Sequence, residues 1–251
     1  MRFYDCNLSY GIDTPATQLR GCKTFAELKA QMRRAGIAGG LVTMALGEVN
    51  ISNAALANDI KGEKDIWGVW RLLPSCTGEI PSPALLPAAM KAAGVAALTI
   101  CPDRNRYQAR AFVIGDYLEM ATERKIPVLL DTARGLTLEQ AADVMSEFPK
   151  LTAVLNYANC WPSDRLFRPF LDAFPNLYLD MSYAITANWL PDICKIYPAR
   201  RILFGSAFPE SYLGANMMVI KHAEISEEEK RLIAGENLLR MLGEVRYGYD
   251  R

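Results

Sequence analysis

Asp131-Thr132-Ala133-Arg134 sets a carboxylate three residues from a guanidinium at the end of an apolar run. A carboxyl group in such a place can act as a general acid or base, or hold a hard cation. It can equally pair with Arg134 or cap the next turn. Comparable polar clusters close other apolar runs: Asp5-Cys-Asn7-Leu-Ser9, Cys101-Pro-Asp103-Arg104, Tyr157-Ala-Asn159, Asp180-Met-Ser182-Tyr183 and Ser206-Ala-Phe-Pro-Glu210. Side chains alternate along a strand, so Asp5, Asn7 and Ser9 are expected on one face. Together these residues offer carboxylates, amides, hydroxyls and two arginines. That set suits a small polar or carboxylate-bearing molecule, because arginine grips carboxylates through paired hydrogen bonds.

Asp131 and Tyr157 are the candidate catalytic groups. Asn7, Ser9, Arg104, Arg134, Asn159, Asp180, Ser182 and Glu210 are candidate ligand contacts, and Trp161 or Phe208 could stack on an apolar part. Each also has a plain structural reading. Asp5 can brace the barrel through hydrogen bonds, Arg104 and Arg134 can be solvated loop charges, and Tyr157 can be a packed aromatic with a satisfied hydroxyl.

The chain has one histidine, His222, which reads as ordinary surface or packing. Its cysteines, at 6, 22, 76, 101, 160 and 194, show no two-residue gap of the kind found in zinc knuckles or redox pairs, so they read as reduced, mostly buried thiols. Cys101 lacks an imidazole to activate it and reads as inert.

Eight short apolar runs can position these groups: Phe3–Leu8, Gly39–Leu46, Ile66–Leu73, Val95–Cys101, Pro127–Ala133, Thr152–Ala158, Leu177–Tyr183 and Arg201–Phe208. They read as strands covered on both faces. Amphipathic segments separate them, with capping boxes at Thr24/Glu27, Thr137/Gln140 and Ser226/Glu229. Eight strand–helix units in 251 residues predict a single (β/α)8 TIM-like barrel over 1–251 with an extra C-terminal helix. An open doubly wound sheet would usually carry fewer strands and a glycine-rich first turn, which this chain lacks. The stretch Pro74–Pro87 reads as a long loop leading into a helix near Ala84–Ala93, either a rim of the mouth or plain surface.

Lysine plus arginine total 28 and aspartate plus glutamate 28, so no net charge draws the chain to nucleic acid or anionic lipid. No apolar run approaches the roughly 20 residues of a membrane span. Asp5 interrupts the apolar start a signal peptide needs, so a cytoplasmic location is expected. The expected partner is a small molecule, with no nucleic acid and no membrane. A homo-oligomer is compatible with the sequence.

Three stretches resemble the amidohydrolase-related superfamily. Arg201-Ile-Leu-Phe-Gly-Ser-Ala-Phe-Pro209 is similar to its last strand, I-L-F-G-S-D-x-P. Ile126-Pro-Val-Leu-Leu-Asp-Thr-Ala-Arg-Gly135 is similar to P-V-x-x-H-T-x-x-G. The segment Ile225–Leu242 carries the G-x-N of its closing helix as Gly235-Glu-Asn237. The resemblance implies a (β/α)8 barrel whose relatives hold divalent metals at the strand ends. It also implies where this chain departs: Asn7 and Ser9 stand for paired histidines, Asp131 for the strand-five histidine, Tyr157 (or Asn156, one residue away) for the strand-six histidine, and Ala207 for the final acid.

A catalytic zinc needs about three firm N, S or O ligands, and Asn and Ser are weak ones. Ala207 cannot take a proton from bound water. No cofactor is therefore expected. The alternative is Mg or Mn held through the oxygens of Asp131, Asp5 and Asp180. The functional expectation is a hydrolase-like barrel by ancestry for a small polar or carboxylate-bearing molecule, without zinc-dependent catalysis and with non-catalytic ligand binding as one form. The alternative is a metal-independent or Mg/Mn-assisted hydrolase, lactonase, decarboxylase or isomerase using Asp131.

Overall fold

The computed structural model describes residues 1–11, 21–45, 47–156, 164–184 and 186–248. The expected strands form in order: β1 (Phe3–Tyr10), β2 (Ile37–Met44), β3 (Ile66–Arg71), β4 (Val95–Ile100), β5 (Val128–Asp131), β6 (Ala153–Asn156), β7 (Leu177–Asp180) and β8 (Ile202–Leu203). They make one sheet in the order β1 to β8, every pairing parallel. Parallel neighbours need crossovers, and helices such as Phe25–Ala35, Ala111–Glu123 and Leu138–Glu147 supply them.

The last expected strand is much shorter than the run Arg201–Phe208 suggested. Its ladder ends at Leu203, and Ala207 adopts a left-handed φ of 54° that no strand can carry. Closure onto β1 relies on separate bonds. Cys6 N donates to Phe204 O at 2.9 Å, Ser9 N donates to Phe208 O at 2.9 Å, and Leu8 bridges Phe208. The chain is thus a (β/α)8 barrel with a C-terminal helix.

Alternation fills the barrel in layers. Tyr4, Leu41, Val69, Ala97, Leu129, Val154 and Leu203 make an apolar inner layer. Leu8, Val42, Leu98, Val128, Leu155 and Leu179 face outward into the larger core under the helices. The floor is closed from the C-terminal segment. A π-turn, Leu232–Glu236, leads into the helix Asn237–Gly243, which adds Leu238 and Met241 to the inner cluster. Each such side chain contributes about 1.5–3 kcal/mol of burial.

The G-x-N signature has a physical cause here. A Cβ on Gly235 would lie 2.7 Å from Tyr4 Cδ2, so only glycine lets the turn reach the barrel floor. Asn237, fully buried, donates to the carbonyls of Ala199 and Ile202, both at 2.8 Å.

The loop after β3 is pinned. It contains a 3-10 turn, Ser75–Thr77, and its Pro81 carbonyl accepts from Tyr117 Oη at 2.9 Å. Its helix begins at Leu86, two residues later than expected. Among the described residues, no helix is long and apolar enough to cross a membrane.

Candidate functional site

One alternation step above the apolar layer, the inward positions turn polar: Thr43, Arg71, Thr99, Asp131, Asn156 and Asp180, at or near the strand ends. Side chains that would be costly inside the barrel therefore collect at its mouth. A pocket of about 450 Å³, counting space open to solvent, lies there. Its polar wall includes Asn7, Ser9, Arg71, Arg104, Asp131 and Arg134, with Cys6 and Cys101 among its other lining groups.

Strand one does not keep the expected alternation. The β1–β2 register shifts between Asp5 and Leu8, so Cys6 and Asn7 both line the pocket while Leu8 turns outward. Asn7 and Ser9 share the pocket, but Asp5 does not join them. Its Oδ1 accepts from the backbone amides of Asn7 (2.8 Å) and Ser206 (3.1 Å), which ties β1 to the chain beyond β8. Its Oδ2 is buried without a hydrogen-bond partner. Burial outweighs those bonds and, with Asp180 nearby, pushes the Asp5 carboxyl up to about 7.

Arg134 is the centre of the constellation. Nη1 donates to Asn7 Oδ1 at 3.0 Å and Asp131 Oδ2 at 3.1 Å. Nη2 donates to Glu210 Oε2 at 3.2 Å and, at the limit of a hydrogen bond, to Ser9 Oγ at 3.5 Å. Nε donates to Glu210 Oε1 at 3.2 Å. All five N–H groups are engaged. Burial alone would weaken the charge on this side chain, but Asp131 and Glu210 raise its pKa above the ordinary value. Tyr183 Oη donates to Glu210 Oε2 at 3.1 Å and steadies the outer carboxylate.

Asp131 is 5% exposed and lines the pocket. It also accepts from Ala133 N at 2.9 Å, so both ion pairing and turn capping are realised in its geometry. Burial raises its pKa against the opposing pull of Arg134.

Asp180 and Ser182 sit behind Asn7 rather than in the pocket wall. Asp180 Oδ2 accepts from Asn7 Nδ2 at 2.9 Å, and Ser182 donates to Asp180 through both its amide and its hydroxyl. The Asn7 amide is thereby oriented, with nitrogen toward Asp180 and oxygen toward Arg134. Burial also raises the Asp180 pKa.

Arg71 was missed as a sequence candidate, although a charge in the apolar run Ile66–Leu73 was its signal. It is 3% exposed, and its Nη2 donates to Gly47 O at 3.1 Å and to the Ser52 hydroxyl. Asn53, from the same helix Val49–Asp59 as Ser52, clasps its backbone with two 3.0 Å bonds. Arg104 Nη2 donates to Ala45 O at 2.6 Å. The turn that carries Arg104 docks on the Asp131 loop, since Asp103 N donates to Gly135 O at 3.1 Å.

Asn156 is the last described residue of β6, in register with Asp131 and Asp180 and on the inward side with Val154. Tyr157, Asn159 and Trp161 lie outside the described residues. Burial pushes the Cys101 thiol up to about 11, which keeps it protonated at neutral pH. His222 is exposed at the end of the helix Ala215–His222 and takes no part in the pocket.

These residues do not suit a zinc-type centre. The positions that the resemblance aligns with metal ligands hold a neutral amide, a hydroxyl and one carboxylate, and a guanidinium already sits among them. Among the described residues, no three His, Cys, Asp or Glu side chains cluster as a metal site would require.

No curated protein matches this sequence. In fold, the chain is similar to an uncharacterised TIM-barrel protein from Bordetella bronchiseptica, with TM-score 0.72, 18% identity, and 97% of this chain and 99% of that chain covered. It is also similar to a dihydroxybenzoic acid decarboxylase from a Polaromonas species, solved with manganese and 2-nitroresorcinol (TM-score 0.70, 14% identity, 96% and 97% covered). A third likeness is to a probable 2-pyrone-4,6-dicarboxylic acid hydrolase from Acinetobacter baumannii, solved with citric acid (TM-score 0.68, 14% identity, 97% and 100% covered). At such identities these likenesses show the fold. The sequence family described as amidohydrolase matches residues 18–243, nearly the whole barrel, and the chain belongs to that family.

Proposed function

We propose that the barrel mouth takes a small carboxylate-bearing molecule, with Arg71 and Arg104 as its anion contacts. The observation that carries this reading is the difference between the arginines. Arg134 spends its donors on two carboxylates and two neutral oxygens, whereas Arg104 donates to the Ala45 carbonyl, which does not cancel a charge. A pocket wall bearing the guanidiniums of Arg104 and Arg71 favours an anion, and Thr43, Thr99 and Asn7 add polar contacts along it. Two of the similar folds are named for acids, dihydroxybenzoic acid and 2-pyrone-4,6-dicarboxylic acid, which agrees with this class of ligand.

A second reading gives Asp131 a proton-transfer role. It is the pocket's buried carboxylate, and burial moves its pKa toward the range in which a carboxyl group exchanges protons near neutrality. The hydroxyl of a bound hydroxy acid would give its proton to the Asp131 carboxylate while Arg104 holds the ligand's own carboxylate.

Thermal shift and calorimetry with benzoates, hydroxybenzoates, pyrone dicarboxylates and citrate, each against its neutral amide, test the first reading. Arg104→Ala is expected to weaken carboxylate binding roughly 10- to 100-fold, as loss of a charge-assisted hydrogen bond does. Equal affinity for acid and amide defeats it. For the second reading, Asp131→Asn must abolish any turnover the panel reveals while carboxylate affinity stays within a few-fold.

A further inference from the structure

We infer that the guanidinium of Arg134 is the resident cation of the barrel mouth, occupying the place where the resemblance would put a metal. The site is built around it. Its donors are met by oxygens of four residues from three places in the chain: Asn7 and Ser9 on the first strand, Asp131 at the end of the fifth, and Glu210 beyond the eighth. Asn7 and Ser9 keep the spacing of a paired-ligand motif, and they present oxygen to the guanidinium instead of nitrogen to an ion.

The surroundings match a planar cation rather than a spherical one. Glu210 takes the Nε/Nη2 edge through two oxygens, the side-on geometry peculiar to arginine. Asn7 is turned by Asp180 and Ser182 so that its carbonyl oxygen faces Nη1. One cation meets two carboxylates, Asp131 and Glu210, and neutralises one of their two negative charges while hydrogen-bonding both. A divalent ion would have to share Asn7, Ser9 and Asp131 with a fixed positive charge.

The chemical consequence is that the site carries its own cation on a tether. Arg134 draws the first strand, the Asp131 turn and the Glu210 loop together and fixes where the Asp131 carboxylate points. With every donor in use it acts as a positioning residue, independently of which molecule the pocket takes.

Chemical rescue tests this. Arg134→Ala is expected to lower Tm by on the order of 10 °C, as removal of one partner from a partly buried ion pair does in a chain of this size. Guanidinium chloride, well below denaturing concentration, is expected to raise the variant's Tm saturably while urea at equal concentration does not, and wild type is expected to gain nothing from either. Arg134→Lys retains the charge without the fork and is expected to melt below wild type with no guanidinium rescue. It also answers if the alanine variant does not fold. The inference is overturned if guanidinium rescues nothing in a folded Arg134→Ala protein, or if the lysine variant melts with wild type. It is equally overturned if Mn²⁺ or Zn²⁺ stabilises wild type saturably in a way that Asp131→Asn abolishes.

Discussion

A Cβ at position 205 would lie 2.0 Å from Asp180 Oδ1 and 2.4 Å from Ser182 Oγ. Glycine at that point is the space into which the Asp180 carboxylate fits, and through Asn7 that carboxylate orients the mouth. Neither partner is the free end of a flexible chain, because both belong to one buried hydrogen-bonded group. Gly205→Ala is therefore expected to cost about 3 kcal/mol or more, read as a fall in denaturation midpoint. A drop below about 0.5 kcal/mol would mean that the Asp180 group relaxes freely. The same scale separates the arginines. Arg134 is enclosed by acceptors, Arg71 is anchored through the helix after β2, and Arg104 reaches a single carbonyl at the rim, so Arg104→Ala should change ligand affinity with the least effect on stability.

At the scale of elements, the site depends on how each crossover begins. The helix Leu138–Glu147, which follows the Asp131–Arg134 turn, starts with a complete capping box: Thr137 Oγ1 accepts from Gln140 N, and Gln140 Oε1 accepts from Thr137 N. The same Gln140 donates through Nε2 to Asp103 Oδ1 at 3.1 Å, joining this helix start to the turn that carries Arg104. Thr137→Ala is expected to destabilise by about 1 kcal/mol. Gln140→Ala removes both the box and the link, so it should additionally weaken carboxylate binding through Arg104. If Gln140→Ala loses stability and leaves affinity intact, the two turns are positioned independently. The caps at Thr24 and Ser226 form as the sequence indicates, because a capping box is satisfied within one helical turn. The β8 run is less regular than its apolar sequence suggests, because its far half turns through Ala207 to bring Glu210 over the mouth.

At the scale of the molecule, folding takes Asp5, Asp131 and Asp180 out of water, and burial raises all three pKa values. The sign follows. The folded Asp5 carboxyl, at about 7, retains a proton that the unfolded chain releases near pH 3.9. Between those values the native state binds more protons than the unfolded state, so stability falls as pH rises from about 4 to about 7 and levels off above. Of the groups facing Asp5, Asp180 disfavours a further negative charge, while Ser206 and the Asn7 amide favour the carboxylate by hydrogen bonding; the Cys6 thiol, raised by burial and by both carboxylates, stays neutral. Denaturant unfolding at about pH 5 and about pH 7.5 is expected to differ by a few kcal/mol in favour of the acid side, and Asp5→Asn should flatten the slope. Stability that rises with pH through this window would show that the three carboxylates are better solvated than their burial implies.

Much of this architecture was legible in local pattern. The three capping boxes depend on chemistry within a few residues and form where the sequence puts them, and all eight apolar runs contain a strand, the last cut short at Leu203. Asp131 beside Arg134 was also readable, since three residues cannot carry an ion pair far apart. Tertiary structure alone decided which way the first strand's polar residues face, because the register shift after Asp5 arises from pairing with β2 and breaks an alternation that sequence must assume. It alone decided that Asn7, Ser9, Asp131 and Glu210 converge on one guanidinium, and that Arg71 faces the pocket. The longest of Arg134's own contacts, to Asn7, spans 127 positions. A charge's partners and its solvation are properties of the closed barrel, fixed only when distant strand ends come together.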